Sequence, residues 1–145
     1  VFSDPTVPLL FAAAMAAAAL AALAAGRAYD RIGLRVLYLL PAVTPLALLA
    51  FTTQSGLAWA GVVAWGIVTG IQESTLRAAV ADLVPPGRRA TAYGFFNASY
   101  GFALLTAGAS IGALYTISIP IVWTVALVLQ AGAVIAIRST LTHRD

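Results

Sequence analysis

The sequence predicts an all-α fold, a polytopic transmembrane helical bundle of five spans. Three observations carry that prediction. Of the 145 residues, 61% are hydrophobic and 9% charged, where a soluble domain carries about 25% charged residues. Apolar runs near the roughly 20 residues needed to cross a bilayer recur along the chain. The basic residues, eight arginines and no lysine, fall between those runs and not within their apolar centres.

Taken in order, the first span covers 7–25, nineteen residues without a charge and very rich in alanine. "AALAAGRA" at its end resembles a small-residue cleavage site, but VFSDPT before it carries an acid and no base, the wrong lead-in for a signal peptide. The second span, 34–53, is interrupted by Pro41 and Pro45. Neighbouring helices can satisfy the carbonyls such prolines free. The third, 57–80, is apolar to Ile71 and continues as a helical pattern through Glu73 and Arg77. The fourth covers 92–115 and the fifth 119–137, with Pro120 at a favourable early-helix position. Residues 1–145 are read as one membrane domain, and the start at Val1 suggests a piece of a longer protein.

The connections set the orientation. Gly26–Arg35, Asp82–Ala90 and the tail from Arg138 share one side, together with Arg27, Arg31, Arg35, Arg77, Arg88, Arg89, Arg138 and Arg144. The other side holds the start, "TTQSG" and "TISIP", with no base and one acid, Asp4. The positive-inside rule places the first side in the cytoplasm of what is expected to be the plasma (inner) membrane. In a soluble protein a net charge of +3 and a pI near 9.8 would point to nucleic acid. Here the bases mark orientation, so the lipid bilayer is the expected partner and nucleic acid is not.

Several chemistries are missing their parts. The absence of cysteine removes disulfides and thiolate metal sites. There is no zinc-protease helix signature and no glycine-rich phosphate loop with lysine; the single His143 stands in the tail. No nucleophile–base pair assembles, so no enzymatic activity, catalytic residue, metal or cofactor is expected.

Lipid gives apolar helices no hydrophobic reason to associate, so small residues become the packing signal. The third span carries Gly66 and Gly70 four apart; the fourth carries Gly94, Gly101 and Gly108 at intervals of seven, then Gly112. These fourth-span glycines share roughly one face with Asn97. Helix packing is the more economical reading of them than direct contact with a solute.

"GRAYDRIGLR" (Gly26 to Arg35) concentrates four charged side chains in ten residues. Gly26 is read as the end of the first span, and Asp30 as lying before the second, where the positive end of a helix dipole favours a carboxylate. Arg31 and Arg35 offer it partners. On the residues alone this is either a solvated positive loop or a working part. Glu73 lies about 24 Å along the third span at 1.5 Å per residue, within a core about 30 Å thick. Acids at that depth are functional suspects, yet Arg77 follows one turn later in the favourable order for an ion pair. A structural pair and a proton or substrate role both stay open. Further cavity candidates are Trp65, Thr69 and Gln72 on the third span and Asn97 and Tyr100 on the fourth. Gln130 suits an interhelical hydrogen bond, and Trp59 and Trp123 suit interfacial anchors.

With those residues in place, the chain resembles the major facilitator superfamily of secondary transporters. That family's cytoplasmic loop reads roughly Gly-x-x-x-Asp-basic-x-Gly-basic-basic. Gly26, Asp30, Arg31 and Gly33 match at the right spacing; Arg35 matches the last basic position and Leu34 replaces the other. "RAAVADLVPPGRRATAYGFFNASYGFALLTAGASIGALY", from Arg77 to Tyr115, is similar to the loop and helix towards the end of either half. The fourth span has no Gly-Pro pair, and the chain stops within eight residues of its last span; both favour the C-terminal half, helices eight to twelve. An odd helix count also suits a fragment of a fold built from three-helix repeats. The resemblance implies secondary active transport of a small solute by alternating access, with Gly26, Asp30, Arg31, Gly33 and Arg35 as a conformational-switch loop. It implies that the third and fourth spans border a central cavity, with Glu73, Arg77, Gln72, Thr69, Asn97 and Tyr100 as candidate cavity or coupling residues. The implied partners are the N-terminal half of the same transporter and a small-molecule substrate, with proton coupling left open. The alternative is a non-transporting structural or receptor-like multi-span protein.

Overall fold

The computed structural model describes residues 6–52 and 56–142; Asp4, His143 and Arg144 lie outside them. Every element is helical. Alanine is the strongest intrinsic helix former, and the run from Phe11 to Ala25 lies within α1, Thr6–Ile32. This helix does not stop at Gly26: it continues two further turns, so Asp30 and Arg31 lie in its last turn and not in a loop before the next helix. The chain turns instead at Gly33, whose φ of 59° is the only positive value among the described residues. That left-handed conformation is routine for glycine and costly for other residues.

The segment after Gly33 is not one regular helix. Gly33–Tyr38 is a 3₁₀ segment, α2 covers Leu39–Ala47 and α3 covers Leu49–Thr52. Pro45 inside α2 has no N–H to give the preceding turn, and the break falls three residues later, at Leu48. The Thr44 hydroxyl donates to the Leu40 carbonyl at 2.8 Å in this weakened region. The fourth helix, α4, runs over Leu57–Leu83 and ends where Val84 turns extended before Pro85, as the residue before a proline prefers. A short 3₁₀ turn, Pro86–Arg88, leads into α5, Arg89–Ile117. Ser118 is extended, and α6 occupies Ile119–Thr142 with Pro120 in its first turn.

The packing centres on α4. Along its contact with α1, Gly66 meets Ala14, Gly70 meets Ala18, and the Ser74 hydroxyl donates to the Ala22 carbonyl at 3.1 Å. Partners stay 52 residues apart over these turns, so α1 and α4 run parallel. The next segment runs the other way: Val36 packs with Ala25 and Ile71, Leu40 packs against the same cluster, and Gly61 meets Leu49 and Ala50. Direction therefore reverses at Gly33. Tyr93 of α5 donates its hydroxyl to the Arg77 carbonyl at 3.0 Å, while Gly108 to Tyr115 lie beside Trp65 and Val68. That pairing makes α5 antiparallel to α4. The described arginines consequently gather at one end of the bundle.

Among the described residues, three helical stretches are long and apolar enough to cross a membrane: Thr6–Ala47, Pro86–Ile117 and Ile119–Ser139. The first contains the reversal at Gly33, and α4 falls outside the set although it has 27 residues. Gln72, Glu73, Arg77 and Asp82 dilute its apolar character.

Candidate functional site

Two groups of polar residues stand out, both on α4 and its neighbours. At the arginine-bearing end, the last turns of α1 and α4 lie side by side and enclose an open cavity of about 590 Å³. Tyr29, Asp30, Arg31, Gly33 and Leu34 line it from one side, and Ala78, Ala81 and Asp82 from the other. Arg35 is exposed in the 3₁₀ segment. Gly26 is inside α1, facing Ser74; a Cβ there would sit 3.7 Å from the Ser74 hydroxyl. The two glycines of the motif thus have different tasks. Gly26 continues α1 beside Ser74 of α4, and Gly33 turns the chain.

Asp82 belongs to this end although the sequence marked it only as part of a connection. A carboxylate in the last turn of a helix faces the negative end of the dipole, so it needs a donor. Tyr29 supplies one, its hydroxyl donating to Asp82 Oδ2 at 2.9 Å. The local signal was an acid just before a proline corner; the partner, 53 residues away, had no local signal. Arg89 donates from Nε to the Val84 carbonyl at 3.2 Å, closing the end of α4 as a basic side chain can.

Further along α4, Glu73 and Arg77 form an ion pair at 3.3 Å with both side chains partly exposed in this chain. Gly66 and Gly70, on the same general side, are buried against α1. The stripe is therefore divided: its small residues touch helix, and its charged pair stands open. Tyr100 of α5 lies within electrostatic reach of both Glu73 and Arg77 and stacks on Phe96 with ring centroids 5.8 Å apart. Gln72 is half-buried, Thr69 donates its hydroxyl to the Trp65 carbonyl at 2.9 Å, and Asn97 is exposed on α5. Of the sequence candidates, Glu73, Arg77 and Tyr100 come together. Thr69 uses its proton on its own helix.

A Cβ at Gly101, Gly108 or Gly112 would meet open space within this chain. Gln130 is half-buried on α6; Trp59 lies in the first turn of α4 and Trp123 in the second turn of α6. Sequence reasoning passed over Thr75. Its side chain is fully buried, and its hydroxyl has no hydrogen-bond partner among the described residues.

Comparison with known proteins adds an independent line. A family model described as the Major Facilitator Superfamily matches residues 2–142. Uncharacterized proteins of Mycobacterium bovis and of Mycobacterium tuberculosis strains CDC 1551 and H37Rv are 48% identical over 136 residues. Each match covers 93% of this chain and 33% of the relative, so the chain spans about a third of the length of the curated relatives it matches. No solved structure matches the chain.

Proposed function

The chain belongs to the major facilitator superfamily, an integral-membrane transporter family, and on that footing we propose that it is part of a secondary active transporter that moves a small solute by alternating access. The segment supplies five spans, the eighth to the twelfth, of the transporter's C-terminal half. The observation that carries this reading is the arginine-bearing end. There Tyr29, Asp30, Arg31 and Gly33 come together with Asp82 around one cavity, beside the reversal at Gly33. A solvated linker has no need of this arrangement. A hydrogen bond between α1 and α4, a carboxylate and a guanidinium at one rim suit a contact made in one transporter state and released in the other.

In this reading the end bearing Arg31, Arg35 and Arg89 faces the cytoplasm. Glu73, Arg77, Tyr100, Gln72 and Asn97 border the solute path, which the remainder of the transporter completes. Gly94 and Gly101 of α5 let that helix approach the remainder closely.

The test uses the full-length protein in membrane vesicles. A panel of radiolabelled small solutes is offered with and without a pH gradient, against vesicles lacking the protein. Accumulation of at least one solute is expected, and Asp30→Asn is expected to slow its initial rate several-fold at unchanged membrane abundance. Unchanged kinetics in that variant would reject the switch role. Topology has its own readout, because this segment has no cysteine. Arg35→Cys should react with a membrane-impermeant maleimide only from the cytoplasmic face, and Thr116→Cys only from outside. Labelling of both from one face would reject the five-span arrangement.

A further inference from the structure

The α4–α5 contact changes character along its length. At the arginine-bearing end it is closed by Tyr93 on Arg77 and by the Val84–Arg88 turn. Towards the opposite end the two helices part around a cavity of about 740 Å³. Five helices and Leu48 wall it: Thr44 and Ala47 from α2, Ala50 from α3, Trp65 and Val68 from α4, Gly108, Gly112 and Tyr115 from α5, and Val122 from α6. Its lining is overwhelmingly apolar. Thr44 has spent its proton on Leu40, which leaves the Trp65 indole and the Tyr115 hydroxyl as side-chain donors.

We infer that this cavity is a binding site for one acyl chain of a bilayer lipid, entering from the leaflet opposite the arginine-bearing end. Shape and chemistry both select that occupant. Water requires two to four polar partners in such a space, and few are offered. A helix about 10 Å across, rising 5.4 Å per turn, would fit less than two turns into the volume, so a spanning helix of the remaining chain is too bulky. An acyl chain is thin and flexible and is already present at this depth. Tyr115 lies two residues from the end of α5, where an aromatic hydroxyl meets the headgroup region. From Tyr115 to Gly108 the wall descends about 10 Å at 1.5 Å per residue, most of the roughly 15 Å depth of one leaflet's hydrocarbon. The glycines make the concavity: at Gly108 and Gly112 no atom lies where a Cβ would point. No hydrophobic gain drives a chain from the bilayer into this space. It enters because the lining atoms otherwise lack contact partners. The inference requires these helices to lie in a membrane and does not depend on transport.

The experiment reads Trp65, which forms one wall. Full-length protein is reconstituted in bilayers of phosphatidylcholine with or without bromine on its acyl chains. The Trp65 signal is the difference between the parent and Trp65→Phe. Bromolipid should quench most of that signal, whereas acrylamide in the water should quench little. Filling the cavity by Gly112→Leu, or from the opposite wall by Val68→Phe, should cut bromolipid quenching at least two-fold. Gly132→Leu, on α6 and outside the cavity, should leave it unchanged. Strong acrylamide quenching would overturn the inference in favour of a water-filled or solute site. Absence of quenching by either agent would overturn it in favour of protein filling the space. Equal bromolipid quenching in the parent and both filling variants would overturn it by showing contact with bulk lipid alone. Solute uptake is not an arm of this experiment, so failure here and failure of the transport reading are separable.

Discussion

Adding a single methyl group at Gly66 should separate α1 from α4. A Cβ at that position would overlap the Ala14 carbonyl oxygen and lie 2.9 Å from its carbonyl carbon and 3.0 Å from its Cα. Carbon pairs are best placed at about 3.5–4.0 Å. All three atoms belong to the backbone of a regular helix and cannot rotate away, so relief requires the helix axes to part by at least about half an ångström. A gap of about 0.5–1 Å forfeits a quarter to a half of each dispersion contact along the seam. The Ser74–Ala22 hydrogen bond, 3.1 Å long in the native packing, then stretches beyond useful range. Such bonds within membranes average about 0.6 kcal/mol. With overpacking at about 1–3 kcal/mol, Gly66→Ala should cost about 2–3 kcal/mol.

Gly70 faces Ala18 in the same way, so Gly70→Ala should cost a similar amount. The double variant should cost clearly less than the sum, because helices already separated by one methyl accommodate the second. Gly132 on α6 supplies the control: a Cβ there meets open space, and Gly132→Ala should leave stability near that of the parent. The measurement is unfolding of the full-length protein in mild detergent, by heat or by denaturant titration. Equal stability for Gly66→Ala and Gly132→Ala, or full additivity of the two seam substitutions, would refute close α1–α4 contact as the reason for those glycines.

Two further outcomes follow from side chains on α4. Arg77→Gln removes the partner of Glu73 and leaves an unpaired acid within the apolar part of the proposed span, where an uncompensated charge is costly. Membrane abundance should fall, and adding Glu73→Gln should restore it; a double variant as scarce as the single one would remove the structural role of the pair. Thr75→Val replaces a fully buried hydroxyl without a described partner by a methyl of similar size. It should raise unfolding stability by about 1 kcal/mol, since an unsatisfied buried polar group costs about 1–3 kcal/mol; destabilisation would reveal a partner for that hydroxyl.

What the sequence disclosed depended on how local the cause was. The Val84–Pro86 corner and Pro120 are short-range signals, and helix ends fall where they indicate, whereas the alanine run marks a helix but not its end, which comes at Ile32. Glycine is ambiguous in the same register. Gly26 and Gly33 look alike in the motif, yet one continues a helix against Ser74 and the other reverses the chain. Only the position of α4 separates those outcomes. The bond from Tyr29 to Asp82 closes 53 residues of chain, a separation at which no periodicity or spacing rule operates. Glu73, Arg77 and Tyr100 were legible one by one as polar residues in apolar surroundings. Their convergence was not, because it depends on the antiparallel approach of α5.

The exclusion of α4 from the membrane-crossing stretches has a physical cause in this packing. Hydropathy measures how readily a segment would dissolve in lipid by itself, but α4 buries more residues within this chain than any other described helix. Eight of its residues are buried within this chain, whereas none in α5 is. Gly61, Gly66 and Gly70 add almost nothing to hydropathy and yet give α4 its closest contacts. Gln72, Glu73 and Arg77 reduce its hydropathy, and Tyr100 of α5 lies within electrostatic reach of the latter two. Low apolarity and central position are therefore two expressions of one design. In the proposed five-span arrangement, a helix that packs through its backbone can carry polar groups through the membrane, whereas α6, with exposed Leu129 and Ile135, is apolar along most of its length.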